Sequence, residues 1–289
     1  GNRIKRDSLR LPRKKKARRE IAPAEYVARR RELAALMDEG CIAVIPGAKL
    51  KIRNGDVEYR FRQNSDFRYL TGFDEPDAVF VLIPGRENGE ALLFCRERDN
   101  EHERWHGHIT GPERAMQFFG MDDAFPISDI GDILPGLMEG QSKLYYSMGV
   151  DRDFDTQVID WAKKISQSDH LGAEPSGEFV QLDYYLHELR LFKSPAEIAL
   201  MKLAADATVK GHRRIMQKTQ PGMMEYELEA ELIHEFSING ARDCAYPAIV
   251  GGGANACVLH YVSNNDVLAD GDLVLVDAGG EYEGYACDL

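Results

Sequence analysis

Two aspartates near the end of the sequence, Asp277 and Asp288, have the spacing of a paired carboxylate site. The apolar run LVLV precedes the first, and the turn-forming stretch AGGEYEG separates the two. If Tyr282 and Glu283 form a two-residue loop, the aspartates face each other across a hairpin, with Cβ atoms about 4.5 to 5.5 Å apart. Such a pair is stable when one carboxylate keeps its proton or when a divalent cation lies between them. The spacing therefore indicates acid and base catalysis or a metal site, and an exposed hairpin with both carboxylates in water is the alternative.

His260 is the next candidate, within the stretch ACVLHY that we predict as a strand over residues 256–261. On the alternation of a strand it shares a face with Val258 and Val262, which by itself favours a packed core histidine over a catalytic one. The preceding GGGANA resembles a phosphate-binding loop, but no GK[ST] follows it and it is predicted to join two strands. We therefore expect no phosphate site there.

Residues 102–106 spell HERWH, the pattern in which two histidines on one helical face bind zinc and a glutamate acts as base. The flanking residues are polar on one side and include Gly107 and Pro112 on the other, so no apolar stripe would bury such a helix. The sequence therefore disfavours a zinc site at His102 and His106. Trp105, a large aromatic residue among charges, is typical of a residue that lines a pocket or an interface.

The elements that position these residues fall into two regions. Up to about residue 180, a helix predicted over residues 23–38 is followed by short β-branched or aromatic runs separated by Gly, Pro and Asn, with helical pieces at 112–118 and 154–165. This mixture predicts an α/β domain with its own core. From residue 187 onward, two helices followed by strands predict the start of an α+β domain.

Capping signals define both helices of the second region. Ser194 with Glu197 three residues later forms a capping box, which starts a helix that we predict to run to about Gln217. A second helix, whose apolar positions recur every four residues from Leu228, ends at Gly240.

Composition narrows the class of protein. The 289 residues carry a net charge of −12 and are 44% hydrophobic, which is typical of a globular protein of about two domains. No apolar run reaches the roughly 18 to 20 residues of a membrane helix, and no signal peptide is evident. The five cysteines have no metal or disulfide spacing. We therefore expect a cytoplasmic protein without membrane or nucleic-acid partners. The basic residues 1–21 are expected to be a disordered tail.

Four blocks in order resemble the bacterial Xaa-Pro aminopeptidases, also called aminopeptidase P. They are residues 59–85, which contain RQNSDFRYLTGF, and residues 187–208, 249–261 and 270–289. The resemblance extends from about residue 22 to the last residue. It implies an N-terminal mixed-sheet domain of the creatinase/prolidase type over residues 22–183, followed over residues 184–289 by the first part of a pita-bread domain like that of the M24 metallopeptidases.

The resemblance also implies an activity and its residues. Two manganese ions, the only cofactors implied, would form a metal-bridged hydroxide that releases the first residue of peptides with proline second. Asp277 matches the aspartate that binds one metal, Asp288 the one that bridges both, and His260 the histidine that helps to polarise the substrate. Chemically, two cations a few ångströms apart can deprotonate a shared water and stabilise an oxyanion. A homo-oligomer is expected for the full-length form.

The implied site has five protein ligands, and the remaining His and two Glu are expected beyond residue 289. From the sequence we therefore expect a truncated chain that binds metal weakly and is inactive alone. A non-catalytic paralogue that binds peptide or a full-length subunit is an alternative, and prolidase is another. The RQNSDFRYLTGF block favours aminopeptidase P over prolidase, the large N-terminal domain disfavours methionine aminopeptidase, and retention of both aspartates disfavours the metal-free creatinase type.

Overall fold

The computed structural model describes residues 20–167 and 174–289. They form an N-terminal unit, Ile21–Lys193, and a C-terminal unit, Ser194–Leu289. The predicted basic tail lies outside the described residues except for its last two. The predicted boundary between residues 183 and 184 falls at the start of a helix whose Leu186 is buried in the core of the N-terminal unit.

A six-stranded mixed sheet is the centre of the N-terminal unit. Its strands are β1 (Cys41–Pro46), β4 (Val79–Leu82), β5 (Ala91–Cys95), β6 (Asp123–Pro126), β7 (Lys143–Tyr146) and β8 (Glu178–Gln181), while β2 (Ile52–Asn54) and β3 (Val57–Glu58) form a separate hairpin. The order is β6-β5-β4-β1-β7-β8, with β4 antiparallel to β1 and to β5 and with the other pairs parallel. Every residue of the CIAVI run in β1 is buried, so the sheet needs helices on both faces.

The described part of this unit contains seven α-helices: α1 (Pro23–Leu36), α2 (Ser65–Thr71), α3 (Asn100–His106), α4 (Gly111–Phe119), α5 (Ile130–Met138), α6 (Arg152–Ser166) and α7 (Asp183–Leu191). Buried side chains of α1, α2, α4 and α7 pack on one face of the sheet, and those of α5 and α6 pack on the other. The prediction of an α/β domain is confirmed. No helix in the described ranges is long and apolar enough to span a membrane.

The C-terminal unit begins with two long helices, α8 (Pro195–Lys218) and α9 (Glu225–Ile238). The predicted capping box is present, since the Glu197 N–H donates to Ser194 Oγ at 3.2 Å and the Ser194 N–H donates to Glu197 Oε2 at 2.8 Å. Gly211 allows the two helices to approach, because a Cβ atom there would lie 2.5 Å from the Phe236 ring. The apolar face of α9 is therefore buried against α8.

Short antiparallel strands follow: β9 (Asp243–Cys244), β10 (Ile249–Gly252), β11 (Val274–Asp277), β12 (Gly280–Tyr282) and β13 (Tyr285–Ala286). Strand β10 pairs with β11, and β12 pairs with both β9 and β13. The prediction of a strand over residues 256–261 is wrong, because residues 253–257 form a 3-10 helix and a turn follows at residues 259 and 260. The physical reason lies in hydrogen bonds from this segment to α9, described below.

Candidate metal centre

The hairpin formed by β12 and β13 fixes the position of the second aspartate. Tyr282 pairs with Tyr285, so the loop consists of Glu283 and Gly284, with φ angles of 50° and 78°. Two consecutive positive φ angles are the signature of a type I′ turn, whose twist matches that of paired strands. The predicted loop of Tyr282 and Glu283 was therefore wrong by one residue.

The corrected register changes the relation between the aspartates. Beyond β13, the Cys287 N–H donates to the Gly280 carbonyl oxygen at 3.1 Å and the Ala278 N–H donates to the Leu289 carbonyl oxygen at 3.2 Å. Asp288 therefore lies opposite Gly279, and Asp277 is its diagonal neighbour on the same face of the ladder. The prediction that the two carboxylates stand directly opposite each other is wrong.

Tyr246 connects the two carboxylates. Its hydroxyl donates to Asp288 Oδ1 at 2.7 Å and also interacts with the carboxylate of Asp277. Burial, together with these two carboxylates, raises the pKa of Tyr246 far above its ordinary value, so the hydroxyl keeps its proton and acts as a donor. Sequence reasoning missed this residue, which lies in a loop 42 positions before Asp288 and has no local pattern that marks it.

One hydroxyl proton does not satisfy two carboxylates. Oδ1 of Asp277 is buried and has no hydrogen-bond partner among the described residues. A buried carboxylate oxygen without a partner is costly unless a proton or a cation compensates it. Hard carboxylate oxygens on one face suit a divalent metal ion, so Asp277 and Asp288 fit the metal site that the sequence indicated.

Helix α8 holds the backbone that joins β11, which ends at Asp277, to β12. The Nε2–H of His212 donates to the Ala278 carbonyl oxygen at 2.9 Å, and the Gly280 N–H donates to Thr208 Oγ1 at 3.0 Å. The carbonyl group can only accept, which sets the His212 tautomer. These buried contacts orient the chain directly after Asp277 and make the position of its carboxylate a property of the core.

His260 lies in an exposed turn rather than in a strand. Its segment follows β10, whose Ile249 pairs with Asp277, but none of the hydrogen bonds in the described ranges joins His260 to either aspartate. The structure therefore brings Asp277 and Asp288 to one tyrosine and leaves His260 on a separate loop.

The HERWH segment does form a short helix, α3, which Asp99 caps. The carboxylate of Glu103, the proposed base of a zinc site, accepts hydrogen bonds from Arg98 and from the Ile109 N–H. Burial does not explain the helix, because Trp105 is 82% exposed. The side chains of the two histidines are outside the description.

Within the described ranges, one group of three possible ligands, Asp66, Asp183 and His187, has its ligand atoms within 4.8 Å of one another. Asp66 in this group is already the acceptor of a hydrogen bond from Arg190, which neutralises it. This group of three residues lies in the N-terminal unit, and it includes neither Asp277 nor Asp288.

Comparison with known proteins agrees with this fold. Residues 26–146 match the N-terminal domain of aminopeptidase P, and residues 199–289 match metallopeptidase family M24. The chain therefore contains one region similar to an aminopeptidase P N-terminal domain, followed by one similar to part of an M24 catalytic domain. Over nearly its whole described length, it resembles the Xaa-Pro aminopeptidases.

Similarity to individual relatives is high. The chain is 41% identical to the Xaa-Pro aminopeptidase of Escherichia coli, over 93% of this chain and 62% of that protein. The structure of Pseudomonas aeruginosa aminopeptidase PepP is 50% identical and superposes with a TM-score of 0.92, over 93% of this chain and 61% of that one. Zinc-substituted E. coli aminopeptidase P in complex with product gives a TM-score of 0.90 at 41% identity, again over 93% of this chain and 61% of that one. The chain thus spans about three fifths of the length of these relatives.

Proposed function

We propose that this protein is a metal-dependent exopeptidase that releases the first residue from peptides whose second residue is proline. The observation that carries the proposal is the pairing of Asp277 and Asp288 around the Tyr246 hydroxyl, with a buried Asp277 oxygen that has no hydrogen-bond partner among the described residues. This arrangement lies in the part of the chain that matches family M24.

Asp277 and Asp288 are the residues that would hold metal, and manganese is the metal that the resemblance suggests. Divalent ions there would supply Lewis-acid chemistry, which polarises a peptide carbonyl group and makes water a better nucleophile. The resemblance predicts five protein ligands, and Asp277 and Asp288 match two of them. Two carboxylates leave most coordination positions to water, so we expect weak metal binding by these 289 residues alone.

The chain's own residues supply positioning and hydrogen bonding. Tyr246 orients the carboxylate of Asp288, while His212 and Thr208 hold the backbone behind Asp277. His260 is the proposed donor to the substrate carbonyl oxygen, a role that an exposed imidazole can perform. A cytoplasmic homo-oligomer remains our prediction for the whole protein.

The test is an assay of residue release by the complete gene product, loaded with Mn²⁺ after treatment with a chelator. Peptides that differ only in proline or alanine at the second position are compared. We expect release from the proline peptide alone and loss of release on chelation. Equal release from both peptides, or release that the chelator leaves unchanged, would contradict the proposal, and release restricted to dipeptides would favour prolidase.

A second candidate is a non-catalytic chain that pairs with a complete subunit. Exposed apolar side chains in the C-terminal unit favour it, since Leu259 and Leu273 are 88% and 83% exposed. Co-expression of the 289-residue chain with a full-length homologue tests this candidate. A stoichiometric complex supports it, whereas separate elution on size exclusion excludes it.

A further inference from the structure

The segment between β10 and β11 that contains His260 is held by one buried carboxylate. We call residues 253–266 the His260 loop. Glu225, the first residue of α9, is completely buried, although glutamate is rarely so unless its charge is compensated. It lies 35 positions before His260 in the sequence, and its side chain points toward the loop rather than toward solvent.

Four hydrogen bonds converge on this carboxylate. Oε1 accepts from the Gly252 N–H at 2.8 Å and from Asn255 Nδ2 at 3.1 Å, and Oε2 accepts from the Tyr261 hydroxyl at 2.7 Å and from the Asp266 N–H at 3.0 Å. The donors come from the start of the loop, from its end and from the residue next to His260. The carboxylate of Glu225 therefore links the beginning of the His260 loop to its end.

A second contact from α9 acts on the same segment. Asn264 is buried with φ at 46°, and its side chain accepts from the Val250 N–H and donates to the Ala248 carbonyl oxygen, each at 2.9 Å. Its amide also donates to Glu229 of α9 at 2.9 Å. The loop is thus attached to β10 and to α9 on both sides of His260, although it has no regular strand pairing of its own.

We propose that Glu225 is the positioning residue that holds the His260 loop, and through Tyr261 the imidazole of His260, in place for the reaction. The catalytic part of this inference rests on the proposed function, whereas the anchoring part does not. An exposed imidazole on a loop without strand pairing would otherwise sample many positions, and a displacement of about 1 Å at a reacting group can cost about 100-fold in rate.

The chemistry of the four partners requires a carboxylate at this position. The backbone N–H groups of Gly252 and Asp266 can only donate, one to each oxygen of Glu225, whereas the Asn255 amide and the Tyr261 hydroxyl can also accept. Glutamine would direct its own NH₂ group at one or two N–H donors in either orientation. Glu225→Gln therefore keeps the volume of the side chain and removes the anchor.

The test compares Glu225→Gln with Glu231→Gln, a matched change on the same helix at a carboxylate that accepts from Arg214 on α8. Hydrogen exchange on the 289-residue chain reports the anchor without any need for activity. We expect amides of residues 253–266 to exchange at least 10-fold faster in Glu225→Gln only, with residues 274–277 unchanged. Unchanged exchange in the loop would overturn the anchor.

Kinetics of the metal-loaded complete gene product report the catalytic part. We expect Glu225→Gln to lower kcat about 10- to 100-fold, with KM and Mn²⁺ affinity nearly unchanged. In a His260→Ala background, the same substitution should lower kcat by less than about 2-fold relative to His260→Ala alone. Tyr261→Phe, which removes one contact and keeps the charge, should show a smaller loss and serves if Glu225→Gln does not fold.

The outcomes separate the two proposals. Full additivity of Glu225→Gln and His260→Ala, or an equal loss in Glu231→Gln, would overturn the positioning role. A wild-type enzyme that releases nothing from proline peptides would overturn the proposed function and the catalytic part, while hydrogen exchange would still decide the anchor.

Discussion

The hydroxyl group of Tyr246 donates a 2.7 Å hydrogen bond to Oδ1 of Asp288. Tyr246 lies between β9 and β10, and Asp288 follows β13. The same hydroxyl interacts with Asp277. The two proposed metal ligands thus share one hydrogen-bond donor, which comes from neither of their own strands. The geometry of the pair depends on this third residue.

Tyr246→Phe should therefore weaken metal binding while the ring keeps its packing. Loss of a hydrogen bond that orients a ligand costs about 10- to 100-fold in metal affinity. Isothermal titration of Mn²⁺ into the complete gene product measures the effect, with Tyr226→Phe, an exposed tyrosine on α9, as the control. An affinity for Tyr246→Phe equal to that of the control would show that the hydroxyl does not orient Asp288.

A stability prediction concerns Arg30, which is buried on α1. Its guanidinium donates to the carbonyl oxygens of Leu70, Phe119 and Gly120, at the C-terminal ends of α2 and α4. Burial lowers its pKa to about 10, so it remains charged at neutral pH. Arg30→Met removes the donors and leaves these carbonyl groups without partners, which should lower the free energy of unfolding by about 2 kcal/mol or more.

Urea unfolding of the 289-residue chain measures that loss. Arg31→Met provides the matched control, because Arg31 follows on the same helix and is exposed. A surface change of this kind should alter the free energy by less than about 0.5 kcal/mol. Equal effects of the two substitutions would contradict the capping role of Arg30.

A pH dependence follows from Glu225. Burial alone would raise its pKa, but hydrogen bonds from Gly252, Asp266, Tyr261 and Asn255 outweigh burial and lower the pKa below the ordinary value of 4.5. A group with a depressed pKa stabilises the fold above its unfolded-state pKa, and that contribution is lost as the pH falls through the lower folded-state value.

Wild type should therefore lose more stability below about pH 4.5 than Glu225→Gln, which has no carboxylate to protonate. Thermal unfolding of both proteins between pH 7 and pH 3 measures this difference, and the two curves should approach each other at the acid end. Parallel curves over the whole range would show that Glu225 is not the ionised acceptor that its hydrogen bonds indicate.

Local chemistry explains which elements the sequence predicts. The Ser194 capping box and the end of α9 just before Gly240, which has a φ of 97°, depend on residues within one helical turn, and both are present in the structure. The predicted hairpin register was wrong, although the sequence contains a local signal for the observed one. Gly284 is the natural residue for the second position of a type I′ turn, and placing it there gives the observed pairing.

Tertiary contacts explain the rest. Residues 256–261 are apolar enough for a strand, yet the distant Glu225 collects the hydrogen bonds of this loop and outweighs the propensity for a strand. Helix α1 is a second example, because its apolar Leu36 lies at the surface. Leu36 is 47% exposed, while Arg29 and Arg30 are buried because carbonyl oxygens of other elements accept hydrogen bonds from their guanidinium groups.

The central claim is that Asp277 and Asp288 form the metal-binding end of an exopeptidase site, and Mn²⁺-dependent thermal stability of the complete gene product tests it most directly. A metal that binds only the folded state stabilises it by about 2.7 kcal/mol at 100 times its Kd. Wild type and Asp270→Asn, a change at an exposed aspartate outside the pair, should both gain stability with Mn²⁺.

Asp277→Asn should not gain stability with Mn²⁺, and without metal it should be as stable as wild type or slightly more so, because a like-charge contact has been removed. The predicted result is therefore that Asp277→Asn is less stable than wild type in Mn²⁺ but at least as stable as wild type without metal. An Asp277→Asn protein that Mn²⁺ stabilises as much as wild type would contradict the account.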